Sequence, residues 1–392
     1  MFITAAGQKV EKSYDILIVG AGPAGLAAAE SAAEGGVKTL VLEEHREIGL
    51  PHHCSGWLWA CPFSESLFEL AEFRKVVLQK LTYQSIYGPN GKQLIKVPSR
   101  GWIVNRVEFD KMLARRAARA GADIVLNTRV VSLLRDNGKV KGVTVECGDQ
   151  KIDIESRVVI GADGTRSVIS GVAHLAGLAE PRQIFSDAQV EFVRVAKQPP
   201  RTSSIYLGSF TGTEFGFGAP TGKDSMMISL GGLANYETAR EKYPGLKEKL
   251  KKAVPIAIFG GLSTFEGNRP LKKLVQDGLI LAGDASGYSL IIRAMITGSY
   301  AGQVAAGAVN KGDVSEMSLS EYDRKRARGH LNSADPLSLR ELLKAKGFKI
   351  EDKPHALEKV PDSEVQKALE EMVEQMKVHP EPPELSKIER LA

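Results

Sequence analysis

The stretch Tyr14-Asp-Ile-Leu-Ile-Val-Gly20-Ala-Gly22-Pro-Ala-Gly25 constrains the fold more than any other part of the chain. An apolar strand, Ile16 to Val19, runs directly into Gly-x-Gly-x-x-Gly, and an alanine-rich helix follows from Leu26 to Ala33. A second apolar strand, Thr39 to Leu42, ends at Glu43, 18 residues beyond Gly25. Each part has a physical task in holding a dinucleotide. Gly20 makes the tight turn, Gly22 lets the backbone approach a pyrophosphate, and Gly25 lets the helix lie close to the strand. The helix N-terminus presents unpaired N–H groups and partial positive charge to the phosphates. Glu43 can accept hydrogen bonds from ribose hydroxyls. An acid there favours an unphosphorylated ribose, hence FAD or NAD rather than NADP.

A chain of 392 residues is long enough for two or three domains and a substantial core. The formal net charge is only +5, and the Lys and Arg residues alternate with acids. With no basic stripe and no nucleic-acid motif, a nucleic-acid partner is not expected, while contact with an anionic membrane surface stays open. Cys54, Cys61 and Cys147 make neither a disulfide framework nor a zinc pattern, so no metal is expected. The segment Met1 to Ser13 lacks an apolar signal core, and no apolar run is long enough to span a bilayer. The expectation is a cytoplasmic protein, free or peripheral to a membrane.

Residues 14–50 read as a βαβ unit, and residues 51–105 as a less regular stretch with Gly, Pro and aromatics. Arg106 to Gly121 reads as a helix, with Phe109, Met112, Leu113 and Ala117 at helical spacing. Short hairpin strands follow around 124–155, helped by an Asn137-Gly138 turn. Val158 to Asp163 returns to the buried-strand style, and residues 180–275 read as mostly β. Leu279 to Ala282 is another buried strand, followed by a small-residue helix at about Ala294 to Val309. Beyond Asp313 the pattern is charged and helical, broken at Pro380 to Pro383, with a mobile last segment expected.

Two further elements sit at the ends of buried strands: Gly161-Ala-Asp163-Gly164-x-Arg166-Ser167 and Gly283-Asp284-Ala-Ser-Gly287. A carboxylate in such a position can bond the hydroxyls of a ribityl chain, although an Asp-Gly pair alone is usually a turn. The three elements in this order resemble the FAD-dependent oxidoreductases of the p-hydroxybenzoate hydroxylase type. The resemblance implies an α/β chain whose Rossmann-type FAD-binding domain is assembled from residues 14–170 and 276–310, with a small β insertion near 124–155. A mostly-β substrate domain, residues 171–275, is inserted, and a C-terminal helical region spans 311–392. A pocket between the two domains is where a substrate would meet the cofactor. The glycine motif would hold the ADP part, Gly283-Asp284 the ribityl-pyrophosphate part, and Asp163-Gly164 would lie beside the flavin. Arg106, in Arg-x-x-Phe-Asp110, matches an arginine near the cofactor. Ala24, Glu44, Val130, Arg293 and Ala294 complete the set expected around it, together with Cys54.

Gly49-Leu-Pro51-x-x-Cys54-Ser55-Gly56 resembles the Pro-x-x-Cys-x-Gly signature of the geranylgeranyl reductase family, directly after the acid-ending second strand. The resemblance covers about residues 14–310 and implies reduction of isolated carbon–carbon double bonds in polyprenyl lipids, archaeal membrane lipids included. Hydride delivery to an unactivated alkene must be matched by a proton at the other carbon. Cys54 is the candidate, as an acid or as a tuning contact; a buried small hydrophobe is the plain alternative. His52 and His53 are expected to face solvent, and Cys61 to be structural or to pair with Cys54 under oxidation. Trp57, Phe215 and Phe217 are expected to line the substrate pocket, with ordinary core packing as the alternative for the aromatics after Cys54.

Two segments depart from the family pattern. Glu214-Phe215-Gly-Phe217-Gly-Ala219-Pro220-Thr221 stands where the family has Tyr-x-Trp-x-Phe-Pro-Lys, keeping two aromatics. Gly287 to Arg293 passes almost directly into Ala294-Met295, where the family has a longer Pro- and Gly-rich loop against the flavin ring; Arg293 can supply positive charge in its place. Three readings result: a flavin-dependent reductase of prenyl lipids, a monooxygenase or quinone-linked flavoprotein of the same superfamily, and a non-catalytic lipid- or flavin-binding scaffold. No second Gly-x-Gly-x-x-Gly exists for a separate nicotinamide domain, which leaves NAD(P)H or a ferredoxin as electron donor.

Overall fold

The computed structural model describes residues 2–3, 7, 9–148, 150–172, 185–196, 198–212, 215–263, 273–288, 290–328, 347 and 360–378. The proline-rich break and the last residues expected to be mobile lie outside the described residues. The chain divides into two compact units. The first holds Met1–Pro51, Val107–Gln183 and Thr264–Leu331, the second His52–Arg106, Ile184–Ser263 and Asn332–Ala392.

The first unit is built on a largely parallel sheet. Its strands run in the order Val275–Gln276, Leu279–Leu281, Gln150–Gly161, Ser13–Val19, Thr39–Leu42, Asp123–Val125, and only Val275–Gln276 is antiparallel to its neighbour. Ile16, Leu17 and Ile18 are fully buried, as are Leu40 and Val41. Strands covered on both faces read as unbroken apolar runs, which is the pattern these segments show. Arg129–Asp136 and Lys139–Cys147 extend the sheet as antiparallel hairpin strands on the long Gln150–Gly161 strand. The helix Pro23–Glu34 lies against the helix Ile291–Lys311 at close range. A Cβ added to Gly298 or Gly302 would sit 2.0 or 2.2 Å from the carbonyl oxygens of Ala24 and Ala28. The Ser31 and Ser299 hydroxyls meet at 2.9 Å in the same seam.

The second unit is an eight-stranded sheet in the order Val254–Ser263, Phe185–Val193, Ser225–Leu230, Gly216–Pro220, Thr202–Tyr206, Val77–Tyr87, Gln93–Val104, Trp57–Trp59. Every pairing is antiparallel except that of Val77–Tyr87 with Thr202–Tyr206. Ile205 and Leu207 belong to one apolar cluster and Tyr206 to another, so strand alternation puts the two clusters on opposite faces. On the Tyr206 face, Tyr236 of the helix Ala234–Lys242, Leu246 and Leu250 of the helix Pro244–Leu250, and Tyr243 between the two pack with Val190, Phe192 and Ile228. On the other face, Val365, Ala368 and Leu369 of the helix Asp362–Val378 pack over Leu81, Leu94 and Phe217.

Residues 51–105 differ from the expected irregular stretch. They form two long strands that join the second unit, although the sequence reading keeps them with the nucleotide domain. Two short helices interrupt the stretch read as mostly β. The small-residue helix starts at Ile291, earlier than expected.

Candidate functional site

In the first unit the glycine loop is fixed by close approach. Gly20 has φ +96°, and a Cβ there would lie 2.5 Å from the Ala162 carbonyl oxygen. A Cβ on Gly25 would lie 1.9 Å from the Gly20 carbonyl oxygen, so a side chain is excluded at that point. Gly22 differs: an added Cβ would meet nothing within 4 Å, so the loop opens there onto free space. The helix begins immediately after, with Gly22 at its N-cap, Pro23 in its first turn and no side chain capping its N–H groups. Uncapped N–H groups facing open space at a helix N-terminus are what a pyrophosphate requires.

Glu43 is buried at the end of the second strand. One carboxylate oxygen accepts the Ala21 N–H at 2.7 Å; the other accepts the His45 N–H at 2.9 Å and lies 2.6 Å from His45 Nδ1. The acid therefore stitches the strand end to the glycine loop. The oxygen that accepts only the Ala21 N–H has a second lone pair, which leaves capacity for a ribose hydroxyl. Glu44 is half exposed, 3.9 Å from His45 Nε2. His45 is absent from the sequence-derived site; the only signal for it was its place two residues beyond the acid.

The three fingerprint loops converge in this unit. Ala24, Ala162 and Ala294 form one buried cluster, with one residue from each loop region. A Cβ on Gly283 would be 2.7 Å from the Ala24 Cβ. The Asp284 carboxylate accepts the Thr165 hydroxyl at 3.0 Å, which ties the third loop to the second. Asp163 closes its own turn: it accepts the Ser167 hydroxyl at 2.6 Å and the Ile169 N–H at 3.0 Å. Burial pushes the Asp163 carboxyl up from its ordinary value, against those two bonds. Gly164, at φ +77°, makes the bend that follows. Val130 is buried in the Arg129–Asp136 strand.

The segment after Asp284 is anchored by side chains. Tyr288 is buried and its hydroxyl is hydrogen-bonded by Arg326 of the helix Glu321–Arg328. Burial raises the Tyr288 pKa and Arg326 partly opposes it. Leu290 turns the chain at φ +80°, and Arg293 is buried within the first turn of the helix Ile291–Lys311.

In the second unit, Cys54 is half-buried, and all three cysteines are free thiols. His52 Nε2 lies 2.9 Å from the Cys54 carbonyl oxygen, and its ring stacks on Phe259 with centroids 3.8 Å apart. Solvent facing thus holds for the exposed His53 and not for His52. Gly56 donates no side chain where there is no room for one: an added Cβ would sit 2.2 Å from the Val104 carbonyl oxygen and 3.2 Å from Arg106 Cγ. The cysteine loop and buried Arg106 are therefore neighbours. Cys61 is buried at the N-cap of Pro62–Glu69 in a reciprocal contact with Ser64, a structural position. Trp57 and Phe217 pack at 5.3 Å, and Phe215 joins the same apolar face. Phe68 stacks instead on Trp102 at 5.1 Å, which is ordinary packing.

The parallel sheet, the glycine loop and two further loops converging on it define a dinucleotide-binding flavoprotein, and the comparisons agree. Residues 15–198 match the FAD dependent oxidoreductase family model. The digeranylgeranylglycerophospholipid reductase 1 of Methanothermobacter thermautotrophicus is 35% identical over 330 residues, 79% of this chain and 81% of that protein. A digeranylgeranylglycerophospholipid reductase of Methanocaldococcus jannaschii is 34% identical over 81% of this chain and 83% of that protein. A geranylgeranyl bacteriochlorophyll reductase-like crystal structure from Thermoplasma acidophilum superposes with TM-score 0.73 at 26% identity, covering 94% of this chain and 99% of that one. The chain belongs to the digeranylgeranylglycerophospholipid reductase family of FAD-dependent oxidoreductases, and FAD is its cofactor.

Proposed function

We propose that this protein saturates isolated carbon–carbon double bonds in the geranylgeranyl chains of prenyl lipids, such as archaeal membrane lipid precursors. The observation that carries this reading is in the second unit. One sheet carries Trp57 and Phe215, only partly buried where they pack against the core that holds Phe217, and the loop leading into its Trp57–Trp59 strand bears the free thiol Cys54. An apolar wall suits a chain with no polar group to grip, and the names of the relatives point to the same class of lipid.

The residues present fit FAD. Gly20, Gly22, Ala24 and Gly25 would receive the pyrophosphate, and Glu43 the adenosine ribose, with Glu44 at the rim. Gly283, Asp284 and the Asp163-Gly164 turn would take the ribityl part. Arg293 would supply positive charge to the ring from a helix N-terminal turn, with Ala294 next to it in the chain, and Arg106 and Val130 keep the cofactor-binding roles that the resemblance implies. Bound FAD supplies the hydride equivalent. Cys54 supplies or relays the proton that the second alkene carbon requires. Either NAD(P)H or a ferredoxin serves as electron donor.

The test is a single turnover. The FAD-loaded protein, reduced anaerobically, is mixed with a digeranylgeranyl glycerophospholipid, and the lipid is analysed by mass spectrometry. The expected result is chains gaining hydrogen in pairs, with Cys54→Ala slower by roughly 100-fold or more while keeping its flavin. Unchanged lipid with fully reduced flavin would refute the substrate class, and equal rates for the variant would remove Cys54 from the chemistry.

A further inference from the structure

Among the described residues, the strand Val254–Ser263 lies at the edge of the second sheet and pairs only with Phe185–Val193. Three aliphatic residues along it are exposed: Val254 at 41%, Ile256 at 58% and Ile258 at 61%. Ile258 stands opposite Val190, which is buried under the helices Ala234–Lys242 and Pro244–Leu250. Opposed residues of an antiparallel pair share a face, so Ile258 borders that helix pair, while a register shift that leaves Ile256 unpaired puts Val254, opposite Val193, on the other face of the same edge. Exposed edges are ordinarily blunted by charge, particularly lysine. Here the branched aliphatics occupy the strand and the cations surround it. Exposed Lys251 and Lys252 stand just before buried Ala253 and exposed Val254, and exposed Arg194 follows Val193, the residue paired with Val254. Across 237–252 the exposed cations outnumber the exposed acids Glu237, Glu241 and Glu248.

A strip of aliphatic side chains flanked by cations is complementary to one kind of surface, an anionic bilayer. Its apolar part gains by entering the boundary between headgroups and acyl chains, and its cations meet lipid phosphates. We propose that Val254, Ile256 and Ile258, with Lys251, Lys252 and Arg194, form the surface by which this protein docks on anionic membranes. The proposal rests on the prenyl-lipid reading above: a substrate whose chains reside in a bilayer must be collected there, and this surface brings the substrate unit to it.

The experiment is co-sedimentation of the FAD-loaded full chain with vesicles of phosphatidylglycerol and phosphatidylcholine, and with phosphatidylcholine alone. The wild type is expected to sediment with the anionic vesicles and far less with the neutral ones. Ile256→Asp/Ile258→Asp, changing two exposed positions, should lower the partition coefficient roughly tenfold or more. Lys251→Glu/Lys252→Glu should lower it by at least roughly fivefold per lysine, on anionic vesicles only. Turnover of detergent-dispersed lipid, flavin absorbance and melting should be unchanged in both. Turnover without vesicle binding, or variants that bind like wild type, would overturn the docking surface. If the isoleucine variant instead abolished self-association in light scattering and left vesicle binding intact, the strip would be a contact between copies and the proposal would fail. Vesicle binding without turnover would uphold the surface and count against the reductase reading alone.

Discussion

The two units solve different problems with different materials. In the first, function rests on backbone: Gly20, Gly25, Gly298 and Gly302 each sit where an added Cβ would come within 2.5 Å of a carbonyl oxygen. In the second, the candidate site rests on side chains, with Trp57, Phe215 and Phe217 packed together on one apolar face of the sheet. Backbone contacts of that kind are all-or-none, because no rotamer relieves a clash with a carbonyl. Side-chain packing is graded, because volume can be lost a methylene at a time. The units can also be followed separately. All three tryptophans, Trp57, Trp59 and Trp102, belong to the second, so their emission follows that unit, while flavin absorbance follows the first.

The largest expected effect is at Gly25. Gly25→Val forces atoms into the Gly20 carbonyl, and the purified protein should be colourless with the first unit disrupted. Gly22→Ala is its control. Its Cβ meets open space, so stability should change by no more than about 1 kcal/mol while flavin retention falls. If Gly22→Ala unfolds the chain, or Gly25→Val keeps its flavin, the backbone account is wrong. Next is Phe217→Ala, which removes a ring buried against Leu81 and Leu369. A loss of about 3–5 kcal/mol is expected by tryptophan-monitored urea unfolding, with flavin still bound. Flavin loss in this variant would blur the division between the units.

Smaller effects sharpen the contrast. Glu43→Gln keeps the shape but weakens the charged acceptor of the Ala21 N–H, at a cost of about 1.5–3 kcal/mol to the loop and its cofactor, measured by flavin titration. The smallest effect concerns Lys249, buried in the second unit 3.4 Å from the Tyr206 hydroxyl and over the Tyr87 ring. Burial holds its amine below the ordinary lysine value. Between that folded pKa and the unfolded value of about 10.4 the unfolded chain binds more protons, so this lysine makes stability rise with pH across the window. Lys249→Met should flatten that rise in urea midpoints; an unchanged slope would remove the buried cation from the second unit's energetics.

The same contrast explains what could be read from the residues alone. Ile16 to Val19 and Leu279 to Leu281 are buried throughout, and their unbroken apolar runs announce a parallel sheet. Gly-x-Gly-x-x-Gly states its own geometry, because only glycine fits. Val77–Tyr87 carries Gln79, Lys80, Thr82 and Gln84 among its apolar residues, with most positions partly or fully exposed, so its signal is weak. Its parallel partner, Thr202–Tyr206, lies more than a hundred residues away, and no local pattern reveals that pairing. The helices Ala234–Lys242 and Pro244–Leu250 are short and charged, with few buried residues to set a period. In the site, the acid after the second strand was legible by spacing. Its bonds to His45 and Ala21, and Asp163 closing its own turn, depend on loop geometry that no spacing encodes.

The most direct test of the central claim is the visible spectrum of the purified protein, with denaturation to release any flavin and anaerobic dithionite reduction of the intact sample. Three converging loops built for a dinucleotide predict a yellow protein, or a colourless one that takes up added FAD, with FAD released on denaturation and full bleaching on reduction. A protein that is colourless as purified and does not take up FAD would contradict the account at its base.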